Sequence, residues 1–140
     1  MNGTVQDQPR LNCQNKGIYA WVCKNAGCNY AYVGQTARPF CERLCEHATV
    51  FIDEEYHGEN YEYKSNLRNH LIECHNQRVR KGIFTLKKLK DNFGIMLLHD
   101  IQDTSRKRNL TMHEDMYAWC FGTKTMNKKS IAVYRSNYFE

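Results

Sequence analysis

The stretch GIYAWVCKNAGCNYAYVG, residues 17–34, constrains the fold more than any other part of the chain. Gly17 to Cys23 and Tyr30 to Gly34 are rich in β-branched and aromatic residues, the composition of strands. KNAGCN between them carries Asn25, Gly27 and Asn29, which suit a reversal, so the two runs are expected to pair as a hairpin. Cys23 and Cys28 bracket that reversal as a knuckle. His70 and His75, at the end of a later helical pattern, complete a Cys2His2 set with spacings near those of structural zinc sites. Five positions on an ideal helix amount to about 140° of rotation, so His75 must sit where that helix frays. Cys74 is the rival fourth ligand, because it shares a helical face with His70.

The seven cysteines are an odd number for a disulfide framework. The first sixteen residues are polar and lack the apolar segment of a signal peptide, and no apolar run reaches 18 residues. The expectation is an intracellular protein with no membrane span, nuclear if its source is eukaryotic, whose thiols stay reduced and available to metal. Cys41 and Cys45, beside Phe40 and Leu44, read as core. Cys13 and Cys120 are left unassigned, with Cys13 open as an extra ligand.

Residues 1–16 read as a loose lead-in and 17–140 as one domain, a length that buries a modest core. ARPFCERLCEHATVFI has Phe40 and Leu44 at helical spacing, with Pro39 suited to a first turn. FIDEEYHGENYEYK lacks periodicity and reads as a long acidic loop. Ser65 can cap a helix through NLRNHLIECH. GIFTLKKLK reads as a basic strand or an extended arm, and FGIMLLHDI as a better strand. LTMHEDMYAWCFG is expected to be a helix from Thr111 that closes at Gly122. The fold class is therefore α+β, a small antiparallel three-stranded sheet flanked by helices.

Charge is distributed unevenly along the chain. Residues 1–75 carry seven Lys/Arg against nine Asp/Glu, and residues 76–140 carry thirteen against six. The clusters RVRK, KKLK and RKR supply much of the excess, which suits a polyanionic partner.

Two tyrosines and a helical pair carry the chemistry. Tyr19 and Tyr32 lie on adjacent strands, where phenols pointing one way can bond phosphate oxygens or pass protons. Gly17 and Gly34 allow close backbone approach beside them. Arg43 and His47 lie four apart and share a helical face. The guanidinium suits a phosphate, and the imidazole can take or give a proton near neutral pH.

The ordered set of GIY, YVG and an Arg-x3-His helix resembles the GIY-YIG nuclease superfamily. Cys-x4-Cys between the two phrases, followed by YVGQTARPFCERLCEH and SNLRNHLIECH, is most similar to the zinc-containing endonuclease domain of Penelope-like retroelements. The resemblance spans Gly17 to Asn127. It implies a DNA endonuclease, with structural Zn²⁺ and catalytic Mg²⁺ or Mn²⁺, acting in retroelement integration. DNA is then the partner, with a reverse transcriptase domain as a companion in a parent protein. It implies Glu114 as the Mg²⁺ ligand, with the adjacent Asp115 as an alternative about 100° away on the helix. It places Asn127 near the site. Tyr19, with His47 as relay, would activate water, and Arg43 and Tyr32 would hold the phosphate oxygens. A phenol near its ordinary pKa of about 10 is a poor base, so nearby cations are expected to lower Tyr19. Two alternatives stand beside this one: a zinc-stabilised module that binds nucleic acid without cutting, and a restriction or repair nuclease with another target.

Overall fold

The computed structural model describes residues 13–55, 61, 63–77 and 83–127. The RVRK cluster, most of the lead-in, part of the acidic loop and residues 128–140 lie outside them. Strands β1 (Gly17–Cys23), β2 (Ala31–Thr36) and β3 (Phe93–Asp100) form one antiparallel sheet in the order β2-β1-β3. Among the described residues four helices flank it: α1 (Phe40–Asp53), α2 (Asn66–His75), α3 (Leu86–Asn92) and α4 (Lys107–Phe121). The expected α+β class and three-stranded antiparallel sheet are both present. Among the described residues no helix is long and apolar enough to cross a membrane.

β1 is apolar almost throughout because it is the central strand and is covered on both faces. Tyr19, Trp21 and Cys23 pack with Phe40 and Phe51 of α1, Leu67 and Leu71 of α2, and Leu89 of α3. Ile18 and Ala20 turn the other way, toward Val33 and toward Leu110 and Ala118 of α4. Strand alternation thus sorts α1, α2 and α3 from α4. The turn of the β1–β2 hairpin is set by Cys28 N donating to Asn25 O at 3.0 Å, with Gly27 and Asn29 at positive φ.

Both motif glycines are required sterically. Gly17 has φ +131°, and a Cβ there would sit 2.7 Å from Ile101 N and closer still to His99 O. A Cβ on Gly34 would sit 2.8 Å from Tyr19 Cε2 and overlap the phenol oxygen. The bare backbone of Gly34 is the floor on which the Tyr19 ring lies, as their pairing in register requires.

The α2 cap is as expected: Ser65 accepts from Arg68 N at 3.2 Å, and Asn76 closes the helix in the left-handed region. Three boundaries differ from the sequence expectations. GIFTLKKLK is neither strand nor arm beyond Thr85, whose hydroxyl accepts from Lys88 N at 3.2 Å and starts α3. Leu and Lys are strong helix formers, and burial of Leu89 in the core anchors the turn. α4 begins at Lys107 rather than Thr111, held by burial of Leu110, which frees the Thr111 hydroxyl to accept from Gln35 Nε2 at 3.2 Å. α1 runs on to Asp53, into the segment read as loop.

The end of α1 is closed by an unanticipated device. Arg68, 4% exposed, donates to Phe51 O at 3.0 Å, to Ile52 O at 3.2 Å and to Glu54 O. A cation on the last carbonyls of a helix complements its dipole. The Glu54 carboxylate then accepts from Lys64 N at 2.8 Å and Ser65 N at 3.2 Å, fixing where α2 starts.

The cysteine expectations need correction at one end. Cys13 and Cys41 form a disulfide, with Cα atoms 4.8 Å apart, so neither is a core thiol or a metal ligand. It joins the lead-in to the first turn of α1. Cys45 is exposed rather than core, because the buried stripe of α1 passes through Phe40 and Phe51.

Candidate metal centre and phosphate site

Cys23 at the end of β1, Cys28 in the hairpin turn, and His70 and His75 on α2 converge, with one ligand atom from each lying within 4.8 Å of the others. Cys23 Sγ is 3.4 Å from His75 Nε2, Cys28 Sγ is 3.2 Å from His70 Nε2, and the two Nε2 atoms are 3.2 Å apart. Tetrahedral zinc with Zn–S about 2.3 Å and Zn–N about 2.0–2.1 Å requires edges of about 3.3–3.8 Å. Those three contacts are near these lengths, and the group as a whole lies close enough to hold a metal ion such as zinc. His75 is the fourth member of this group, whereas Cys74 is exposed and outside it. His75 is the last residue of α2, where the backbone turns into the left-handed Asn76, so the rotation mismatch is absorbed at the helix end.

Partners behind the ligands orient them. Asn25 Nδ2 donates to Cys23 Sγ at 3.2 Å and to Asn92 Oδ1 at 3.0 Å, tying the knuckle to the end of α3. Burial, and secondarily the neighbouring His75, holds His70 down to about pKa 4, so its imidazole is neutral as a ligand must be. Asn25 is invisible to spacing arguments because its role depends on Asn92, far away in the sequence.

The second constellation lies on the same face of the sheet, around Tyr19 of β1. Tyr19 is fully buried, and its hydroxyl is 2.7 Å from His47 Nε2 and receives Arg43 Nε at 3.1 Å. Arg43 can only donate, so the arrangement that uses the phenol hydrogen has Tyr19 donating to His47 Nε2. The rings of Tyr19, Trp21 and Tyr32 all stand edge-on to His47, at centroid distances of 5.7, 6.0 and 5.4 Å. Arg43 also pairs with Glu46 at 3.1 Å, and Glu46 with Arg38.

Burial sets the protonation of this group. It holds His47 down to about pKa 4, with the Arg43 charge adding to the effect, so the imidazole is neutral at pH 7. It pushes the Tyr19 phenol well above its ordinary value, outweighing the lowering by Arg43. That is the reverse of the expected depression. Tyr32 is raised by burial first and by the Glu114 charge second, while Arg43 and Asn66 pull it back through hydrogen bonds.

α4 places Glu114 beside β2, where it accepts from Gln35 Nε2 at 3.4 Å and its charge acts on both phenols. Asp115 points into the protein and is 1% exposed, so of the two carboxylates Glu114 is the one nearer solvent. A single half-buried carboxylate completed by water and phosphate oxygens is a donor set that fits Mg²⁺ or Mn²⁺. Asn127 stands at the open edge of β2, its amide donating to Val33 O at 2.8 Å and accepting Val33 N at 2.9 Å. Both ends of that amide are engaged with backbone, so it braces the strand that carries Tyr32. Tyr32, Arg43 and His47 line a cavity of about 180 Å³, shared with Lys64 and Asn66. Neither Lys64 nor Asn66 was singled out by the sequence, because the Glu54 brace and the Arg68 contacts that bring the start of α2 alongside α1 join distant segments.

Comparison of the chain with protein-family models, with curated proteins and with solved structures finds no match.

Proposed function

We propose that the chain is a DNA endonuclease of the GIY-YIG kind, hydrolysing phosphodiester bonds with a divalent ion and stapled by zinc. The observation that carries this is the convergence of Tyr19, His47 and Arg43 in one hydrogen-bonded chain, with Tyr32 alongside and the Glu114 charge in reach. A packing role for two tyrosines gives no reason for a buried phenol shared between a neutral imidazole and a guanidinium.

In this scheme Arg43 and Tyr32, which border the cavity, hold the non-bridging phosphate oxygens. Tyr19 and His47 keep a proton at the Oη–Nε2 contact, where the neutral His47 can accept the phenol proton. Mg²⁺ or Mn²⁺ on Glu114 supplies, when bound, charge stabilisation for the attacked phosphate and the leaving oxygen. The basic C-terminal half supplies sequence-independent attraction for the duplex. Retroelement integration is the setting that the motif resemblance suggests.

A second reading, a module that binds nucleic acid without cutting, draws on the complete burial of Tyr19. Incubation with supercoiled plasmid, with and without Mg²⁺, separates the two. Cleavage that requires Mg²⁺ and falls by several orders of magnitude in Glu114→Gln is the expected result. Asp115→Asn, altering a buried group, is expected to lower stability while leaving Mg²⁺-dependent cleavage in the folded fraction. Binding with no nicking under any metal condition refutes the nuclease.

A further inference from the structure

Asn66, the first residue of α2, lines two separate clefts. One is the 180 Å³ cavity with Tyr32, Arg43, His47 and Lys64. The other, about 160 Å³, is bordered by Tyr30, Asn69, His70, Cys74, Thr125 and Met126. Asn66 belongs to both linings, so the two clefts adjoin at this residue and together outline a trough.

The ends of the trough differ in chemistry. The Lys64 end is cationic: Arg43 and Lys64 line it, and among the described residues the one carboxylate in its lining, Glu46, is already paired with Arg38 and Arg43. The Tyr30 end is polar and aromatic, its described lining carries no Lys or Arg, and Glu73 on its border disfavours phosphate. The amide of Asn69 is taken up by Tyr63, and the Thr125 hydroxyl donates to Asn127. The Tyr30 ring is backed by the His70 ring at 5.1 Å. A cationic end beside an aromatic end is the pattern of a nucleotide seat, phosphate at one side and base at the other.

We propose that this trough is the track for one DNA strand: Lys64 takes the phosphate next to the scissile one, Asn66 is the step beneath the sugar, and Tyr30 stacks the following base. The direction of the track rests on the nuclease reading, because Arg43 and Tyr32 mark where the scissile phosphate lies. The occupancy of the track by a strand does not.

The test uses the full chain, zinc-loaded, and a fluorescent single-stranded oligonucleotide titrated at several salt concentrations, with plasmid cleavage in parallel. Lys64 is exposed, so Lys64→Gln folds as the parent does. It is expected to weaken binding and reduce the slope of log K against log salt by about 0.7, one phosphate contact on a single strand. Tyr30→Leu is expected to weaken binding about tenfold with the salt slope unchanged, because stacking releases no ions. Zinc content and melting temperature of Tyr30→Leu are measured alongside, since the ring backs His70. If that variant loses zinc, Tyr30→Phe replaces it and retains parental affinity, while Tyr30→His weakens binding. Unchanged affinity and slope in Lys64→Gln overturn the track, even where the parent cleaves plasmid. Weakened binding in both variants with no cleavage by the parent supports the track and overturns the nuclease alone.

Discussion

The protonation of His47 makes a prediction that can be worked through to a number. The folded protein holds this imidazole near pKa 4 by burial and by the Arg43 charge, against 6.5 in an unfolded chain. A depressed folded value means that the unfolded state binds the extra proton first as the pH falls. The stability associated with neutral His47 is therefore complete above about pH 6.5 and is lost progressively between that value and about pH 4. At about pH 5 the difference is about 2 kcal/mol, and the full shift corresponds to about 3 kcal/mol. His70 and the carboxylates titrate in the same range, so the parent curve alone does not isolate the effect. His47→Gln does, because the amide can still meet the Tyr19 hydroxyl but carries no proton in this window. Urea unfolding of both proteins at about pH 7.5 and about pH 5 is the assay, and the variant should lose about 2 kcal/mol less than the parent on acidification. Equal losses in the two proteins would show that His47 stays near its ordinary value and is not desolvated by the Tyr19, Trp21 and Tyr32 rings around it.

Gly34→Ala should be costly, because its Cβ would overlap the Tyr19 phenol; overpacking of about 1–3 kcal/mol, with displacement of the hydroxyl from His47 and Arg43, should appear in both melting and cleavage. Parental stability and activity in that variant would show that Tyr19 is not held in this position. Cys23→Ala should release bound metal and lower the melting temperature, since a structural zinc site contributes folding energy; metal analysis showing no zinc in the parent removes the staple. Charge reversal at Lys87, Lys88 and Lys90 should weaken duplex binding on all sequences alike and flatten its salt dependence, and unchanged affinity at low salt refutes a DNA-facing α3.

The parts of this protein that were legible in the sequence are those encoded by local spacing. Cys23 and Cys28 span one turn, His70 and His75 close one helix, and Arg43 and His47 share one helical face. Each pair is fixed by the geometry of a single element, and the set then needs only two elements to meet. The Cys13–Cys41 disulfide has no such local signature, and an odd cysteine count argues against a framework without excluding one bridge. α3 was misread because FTLKKLK is too short for its period to separate strand from helix, and the Thr85 cap decides it. Glu54, Arg68 and Gln35 were missed because their partners are backbone groups or side chains on other elements.

The Tyr19 phenol shows where spacing stops carrying information about chemistry. From the residue types nearby, chiefly Arg43, the expected direction was downward, and that contact is present at 3.1 Å. The sign is nevertheless upward, because the same neighbours that bring the cation also exclude water. Phe40 stands edge-on at 5.2 Å, the Gly34 backbone lies against the ring, and His47 covers the hydroxyl. One cation lowers a phenol by a bounded amount, while removal of all solvent penalises the phenolate more. A neutral phenol beside a neutral imidazole is the result. That pair can hold or hand on a proton but does not by itself abstract one from water, so in the proposed nuclease it would serve as a relay whose His47 end borders the cavity.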